Sequence, residues 1–176
     1  FFLDTVLWEE MQTSRCWIQI DYPTIENAEN LDTRDFVNYQ PYPIVWKAEN
    51  VVNWSISKNA YGRAILSRII IRTAEDDFTM NEFHPTLRDV VYVHEIVDNF
   101  YCIRKFKAGI KSVVEVINGK KQTRYEQDTD KFELEYVNEN IQANGKRLDF
   151  IPIWPINGNI GITEPLLTPL IDKEIA

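Results

Sequence analysis

The sequence is short of the residues on which recognisable catalytic and metal sites depend. It holds two cysteines, two histidines and six glycines in 176 residues. Cys16 and Cys102 lack Cys-x-x-Cys spacing, so we expect neither a disulfide framework nor a zinc site. No glycine-rich phosphate loop or Gly-x-Ser-x-Gly elbow occurs. We therefore predict no catalytic residue, no cofactor and no metal, and we predict that the protein is not an enzyme.

Long apolar runs and excess positive charge are also missing. No segment approaches the roughly 20 apolar residues of a membrane-spanning helix, so no membrane partner is expected. The formal net charge is −8, and affinity for nucleic acid grows with the number of phosphates that Lys and Arg neutralise. We therefore expect that DNA is not tightly bound.

Aromatic residues, by contrast, are plentiful, with five Trp, eight Tyr and nine Phe. Together with β-branched residues in period-two alternation they predict a sheet-rich core. Residues 2–13 have helical spacing of apolar side chains, with Asp4, Glu9 and Glu10 on the opposite side, and Thr163 can cap a second helix. The expected class is α+β, mainly an antiparallel sheet or meander with an N-terminal amphipathic helix and a truncated C-terminal helix.

The same patterns predict a single domain over residues 1–176. It has a helix at 2–13, a sheet region at 15–154 and the start of a helix at 163–176. Since the chain begins with Phe1 and the last helical pattern still runs at Ala176, we expect a fragment of a longer subunit.

A meander is expected between Tyr42 and Arg72, with one turn at residues 48–50 and another at residues 58–62. In its second strand Val52, Trp54 and Ile56 alternate onto one apolar face. Trp54, like Trp46, is interpreted as a core residue, with an exposed interface anchor as the alternative. Asn118-Gly119 predicts a tight hairpin turn.

Few side chains are candidates for chemistry. His84 lies in a predicted loop and His94 in a predicted strand, and each is interpreted as a surface or cross-strand residue rather than a catalytic base or ligand. Adjacent acids such as Asp76 and Asp77 are interpreted as solvated. Arg68 and Arg72 share one strand face. They either pair with acids on a neighbouring strand or form a contact between subunits.

Several short sequence words occur in a fixed order along the chain. They are Arg15–Pro23, Pro41–Tyr42, Ala48–Trp54, the Ile/Arg-rich strand that ends near Arg72, Phe150–Ile153 and Glu164–Leu167. In this order they resemble a portal-like family of tailed-phage and prophage proteins, and the resemblance spans almost the whole chain.

The resemblance implies a structural virion protein, the wing region of a portal subunit. The full-length protein would self-associate into the head-tail connector ring through which phage DNA is packaged and ejected. Its partners would be the terminase motor, the head-tail adaptor and capsid proteins, while DNA passes through the ring. Its location would be the virion, and the host cytoplasm during assembly. The alternative is a β-rich ligand-binding or hydrolase domain of phage or prophage origin.

Overall fold

The computed structural model describes residues 2–13, 15–21, 40–58, 62, 64–78, 83, 85–117, 120–143 and 146–156. The helix expected at 163–176, His84 and the turn at 118–119 lie outside these residues.

One α-helix and ten strands follow one another along the described chain. In order they are α1 Phe2–Thr13, β1 Cys16–Asp21, β2 Tyr42–Lys47, a 3-10 turn Ala48–Asn50, β3 Val51–Lys58, β4 Ala64–Asp77, β5 Thr86–Val97, β6 Phe100–Ile117, β7 Lys120–Asn138, β8 Gln142–Ala143, β9 Lys146–Arg147 and β10 Ile153–Pro155. All strand pairings are antiparallel.

The strands form three sheets. Sheet A has the order β10-β1-β2, sheet B has the order β3-β4-β5-β6-β7, and β8 and β9 form a small hairpin. A tight turn at Asp98-Asn99 joins β5 to β6, and both residues have positive φ, 51° and 66°. These angles suit the type I′ turn whose twist matches that of the flanking strands.

The expected α+β class is wrong, because the described chain is mostly antiparallel β-sheet with α1 as its one α-helix. Strands continue through positions where the sequence suggested breaks. β4 extends to Asp77, and β6 and β7 are 18 and 19 residues long. The helix predicted at 2–13 is confirmed within one residue of its expected limits.

The expected meander from Tyr42 to Arg72 is also wrong in its pairing. β2 pairs with β1, whereas β3 pairs with β4. The turn Ala48–Asn50, flanked by extended Lys47 and Val51, therefore moves the chain from sheet A to sheet B. Two register shifts in β3 also interrupt the alternation of its side chains between the two faces of the sheet. Trp54 is half-buried as a result, while Val52 and Ile56 are exposed.

The core lies between sheet A and the inner face of sheet B. Trp17 and Ile153 from sheet A pack against Ile69, Ile71 and Tyr101 from sheet B, and all five side chains are almost completely buried. Burial of this much apolar surface is the main force that holds the two sheets together.

The distal halves of β6 and β7, residues 109–117 and 120–128, form an extension that we call the arm. β5 pairs with β6 only as far as the Val90–Lys107 pair, whereas β6 and β7 continue to pair to Ile117 and Lys120. A bulge sets the base of the arm at Ala108 and Gly109. A Cβ atom at Gly109 would lie 3.3 Å from the carbonyl oxygen of Lys131, which explains a glycine at this close approach.

Candidate functional site

Arg68 and Arg72, the predicted subunit-contact residues, lie on the outer face of sheet B. Arg68 donates from Nη2 to Glu95 Oε2 at 2.7 Å, and Arg72 pairs with Asp89. Arg104 reaches the second oxygen of Glu95 at 2.6 Å. Both predicted residues therefore have acid partners on β5 and remain about half exposed. Their role in subunit contact stays a prediction.

The helix α1 packs on β1 and β2 in an unexpected orientation. Glu9 points inward, is 8% exposed and pairs with Lys47 Nζ at 3.2 Å. Thr13 ends the helix by donating to the Glu9 carbonyl at 2.8 Å. The predicted polar side of the helix is thus partly buried, and large apolar side chains point outward.

We call these side chains the outer face of α1. They are Leu3, Leu7, Trp8 and Met11, with exposed fractions of 68%, 60%, 63% and 49%. Residues three and four apart lie on one side of a helix, so the four side chains form one continuous patch. An exposed patch of clustered apolar residues marks an interaction surface more often than scattered single residues do.

A cavity of about 340 Å³ lies between sheet A and the inner face of sheet B. Its walls come from β1, β2, β4, β5, β6 and β7. The lining residues are Gln19, Asp21, Ile44, Trp46, Thr73, Glu75, Tyr92, His94, Ile103 and Tyr136. A concave space with apolar walls and a few convergent polar groups is the usual form of a small-molecule site.

His94 is the most buried polar residue in the cavity wall, with 2% of its surface exposed. Its Nδ1 atom lies 2.6 Å from the Tyr101 hydroxyl oxygen, and the two rings stack. Its Nε2 atom has no hydrogen-bond partner among the described residues. Burial lowers the pKa of His94 to about 3, so the ring is neutral at physiological pH.

A charged cluster borders the cavity on the inner face of sheet B. Lys105 Nζ donates to Glu75 Oε2 at 2.7 Å and to Glu135 Oε2 at 3.0 Å, and Tyr92 donates to Glu75. Burial acts to raise the pKa of Glu75, but the hydrogen bonds from Lys105 and Tyr92 lower it. The Glu75 carboxylate therefore stays ionised beside the cavity.

Other polar groups hold the walls in place. Trp46 Nε1 donates to Gln19 Oε1 at 2.7 Å, and the Tyr42 hydroxyl donates to Asp21 Oδ2 at 2.7 Å. These bonds tie β1 to β2 at the mouth of the cavity. They also fix the positions of the Trp46 and Tyr42 rings.

The sequence-adjacent acids Asp76 and Asp77 do not form a dyad. Asp76 is exposed, whereas Asp77 is buried and accepts from Arg88 Nη1 at 2.8 Å. Arg88 also donates from Nε to the Ala108 carbonyl at 2.7 Å. This pair stabilises the base of the arm and is not arranged for acid-base chemistry.

Sequence reasoning considered His94 and Trp46 separately and missed the cavity that both residues line. Spacing places Tyr92 and His94 on one strand face, but only the pairing of β4 with β5 brings Thr73 and Glu75 onto that face. Across the described ranges, no three His, Cys, Asp or Glu side chains come together to hold a metal. No helix in this part of the chain is long and apolar enough to cross a membrane.

Comparison with known proteins finds no family model that matches the chain and no significant match among curated proteins.

Proposed function

We propose that this chain is a structural and interaction module, the wing region of a portal subunit in a tailed phage or prophage. Its role is to contribute to the head-tail connector ring through which DNA is packaged and ejected. Its partners are further copies of the same subunit, the terminase motor, the head-tail adaptor and capsid proteins. It acts in the virion, and in the host cytoplasm during assembly.

The observation that carries the proposal is the outer face of α1. Exposure of apolar side chains to water is unfavourable, because burial of apolar surface lowers the free energy. This applies to the four exposed side chains of α1, Leu3, Leu7, Trp8 and Met11. Helix formation alone does not require this pattern, since polar residues at these positions would form the helix equally well. A contact with another protein surface explains why the apolar residues point outward.

The geometry of a closed ring favours a second copy of the chain as the partner of the outer face of α1. Cyclic assemblies with head-to-tail contacts use two different surfaces of each subunit. The outer face of α1 supplies one surface, beside sheet A. The arm, with exposed Ile110 and Val114, supplies a second one at the other end of sheet B. The order of the sequence words from Arg15 to Leu167 supports the portal family in particular.

The net charge of −8 suits this role. Lys and Arg contacts to phosphates would hold DNA tightly, and a channel that lets DNA pass needs few of them. Several cations of sheet B pair with acids of the same sheet, as Arg72 does with Asp89 and Lys105 with Glu75. They offer little surplus positive charge to a DNA backbone.

The test is assembly of the protein expressed from its complete reading frame. Electron microscopy and light scattering should show rings for the natural sequence. The substitution Leu7→Glu should abolish or greatly weaken them, because it places a charge in the contact. Leu7 is exposed in the monomer, so the thermal midpoint should change little.

Gln12→Glu is the matched control, since it adds the same charge at another exposed position of α1 and removes no apolar side chain. Rings that survive Leu7→Glu would exclude α1 as a contact. A natural protein that forms no ring would contradict the portal proposal itself, as would a gene neighbourhood without a large terminase.

A further inference from the structure

The cavity between the sheets has walls suited to a flat molecule. Trp46, Tyr92 and Tyr136 line it together with Ile44 and Ile103. Aromatic side chains bind planar rings through offset or edge-to-face contacts, in addition to the apolar surface that they bury. At about 340 Å³, the space is at the small end of ligand sites. A ligand of one or two fused rings fits these dimensions.

The cavity also carries an unsatisfied polar atom. His94 Nε2 is buried and has no partner in the described part of the chain, although a buried polar group without a hydrogen bond destabilises the folded protein. The bond between Nδ1 and Tyr101 fixes the ring orientation. Tyr101 belongs to the core cluster and does not line the cavity, whereas His94 does, and Nε2 lies on the opposite side of the imidazole ring from Tyr101.

The charges around the cavity select against anions. Asp21 and Glu75 line it, and carboxylates accept hydrogen bonds from N–H groups. Lys105, which binds Glu75, is also bound to Glu135 and so offers little attraction to an acidic ligand. Lys105 also offsets the charge of Glu75 and so reduces the attraction of that carboxylate for a cationic ligand. The chemistry therefore favours a neutral molecule with N–H donors.

We propose that this cavity binds a small, neutral, planar nitrogen heterocycle. Its rings contact Trp46, Tyr92 and Tyr136, and one of its ring nitrogens hydrogen-bonds to His94 Nε2. An N–H group of the same molecule faces the carboxylates of the cavity wall. This site is separate from the outer face of α1 and does not depend on the proposed portal function.

Benzimidazole is a suitable probe. It is a flat bicyclic molecule with one N–H donor and one acceptor nitrogen, so it can satisfy His94 Nε2 in either tautomer. The protein has two histidines, which makes the side-chain ¹⁵N spectrum simple. Titration should shift the ring nitrogens of His94 and the indole N–H of Trp46 saturably, with a Kd of about 1 mM or lower. The ring nitrogens of His84 should not shift.

Two variants make the test specific. Ile44→Trp fills the cavity and should weaken benzimidazole binding at least tenfold. Ile56→Trp makes the same change at an exposed position on β3 and should leave binding unchanged. Naphthalene-2-sulfonate, which is flat but anionic, should not bind at the same concentrations.

The proposal fails if benzimidazole causes no saturable shift at His94. It also fails if Ile44→Trp binds as well as the natural protein, or if the anionic probe binds equally well. None of these outcomes affects ring assembly, so failure here is distinct from failure of the portal proposal.

Discussion

The buried histidine should make the protein lose stability in mild acid. Burial lowers the pKa of His94 from 6.5 to about 3 in the folded protein, while the unfolded chain keeps a pKa near 6.5. Below pH 6.5 the unfolded state therefore binds one proton more than the folded state. The free energy of unfolding then falls by about 1.4 kcal/mol per pH unit.

Between pH 6.5 and pH 5, the free energy of unfolding should fall by about 2 kcal/mol because of His94. The groups that face His94 are Tyr92 on its own strand, Tyr101 on β6, Tyr136 on β7 and the carboxylates of Asp21 and Glu75. The tyrosines stay neutral in this window. The pKa of Glu75 is lowered from 4.5, so its stabilising contribution is lost only at more acidic pH.

Urea unfolding at several pH values between 6.5 and 5 measures this slope. His94→Gln keeps a hydrogen-bonding side chain beside Tyr101 but cannot titrate, so its slope should be close to flat. His84→Gln is the control and should keep the slope of the natural protein. Equal slopes for the natural protein and His94→Gln would refute the reasoning. So would an NMR titration in which His94 gains a proton above pH 5 while the protein stays folded.

Three further results are expected. Asp77→Ala should cost about 3 to 5 kcal/mol, because it leaves the largely buried guanidinium of Arg88 without its carboxylate partner. Asp76→Ala on the other face of the same strand should change stability by less than about 0.5 kcal/mol, and urea unfolding compares the two variants. Trp17→Ala should cost about 3 to 5 kcal/mol, and Trp154→Ala clearly less because Trp154 is half exposed; equal losses would contradict the core described above. Above pH 10 stability should fall, because burial raises the pKa of Tyr92, Tyr101 and Tyr136 above 10.0 and the folded state keeps protons that the unfolded chain releases. An absorbance titration in which these tyrosines ionise near pH 10 before the protein unfolds would exclude this.

Local patterns predicted individual elements well and their pairing poorly. The helix at 2–13 depends on nearby residues, so the spacing of its apolar side chains identifies it. Pairing depends on long-range contacts, and nothing in the sequence around Asn50 shows that the chain changes sheets there. Strand length was also underestimated where the sequence becomes charged. The strand predicted to end near Arg72 continues as β4 to Asp77, where Arg88 pairs with the carboxylate.

The candidate cavity was harder to predict than the fold. Its lining residues come from six strands spread between Gln19 and Tyr136. Sequence spacing reports neighbours on one strand or one helix face, and it carries no signal for side chains that meet across two sheets. Arg68 and Arg72 were found because they lie four residues apart on one strand. His94 gave no comparable signal, since its partner Tyr101 follows a turn whose geometry the sequence only suggests.

The pairing of β1 with β10 has a consequence for the order of folding. Trp17 lies opposite Pro155, so sheet A joins distant parts of the chain, whereas sheet B is built from strands that follow one another. Closing a long loop lowers the entropy of the chain before the contacts between the paired strands can stabilise it. Sheet B should therefore form first during synthesis, with its inner face still exposed. Sheet A then closes over it once β10 has left the ribosome, and until that moment Ile69 and Ile71 are available to chaperones.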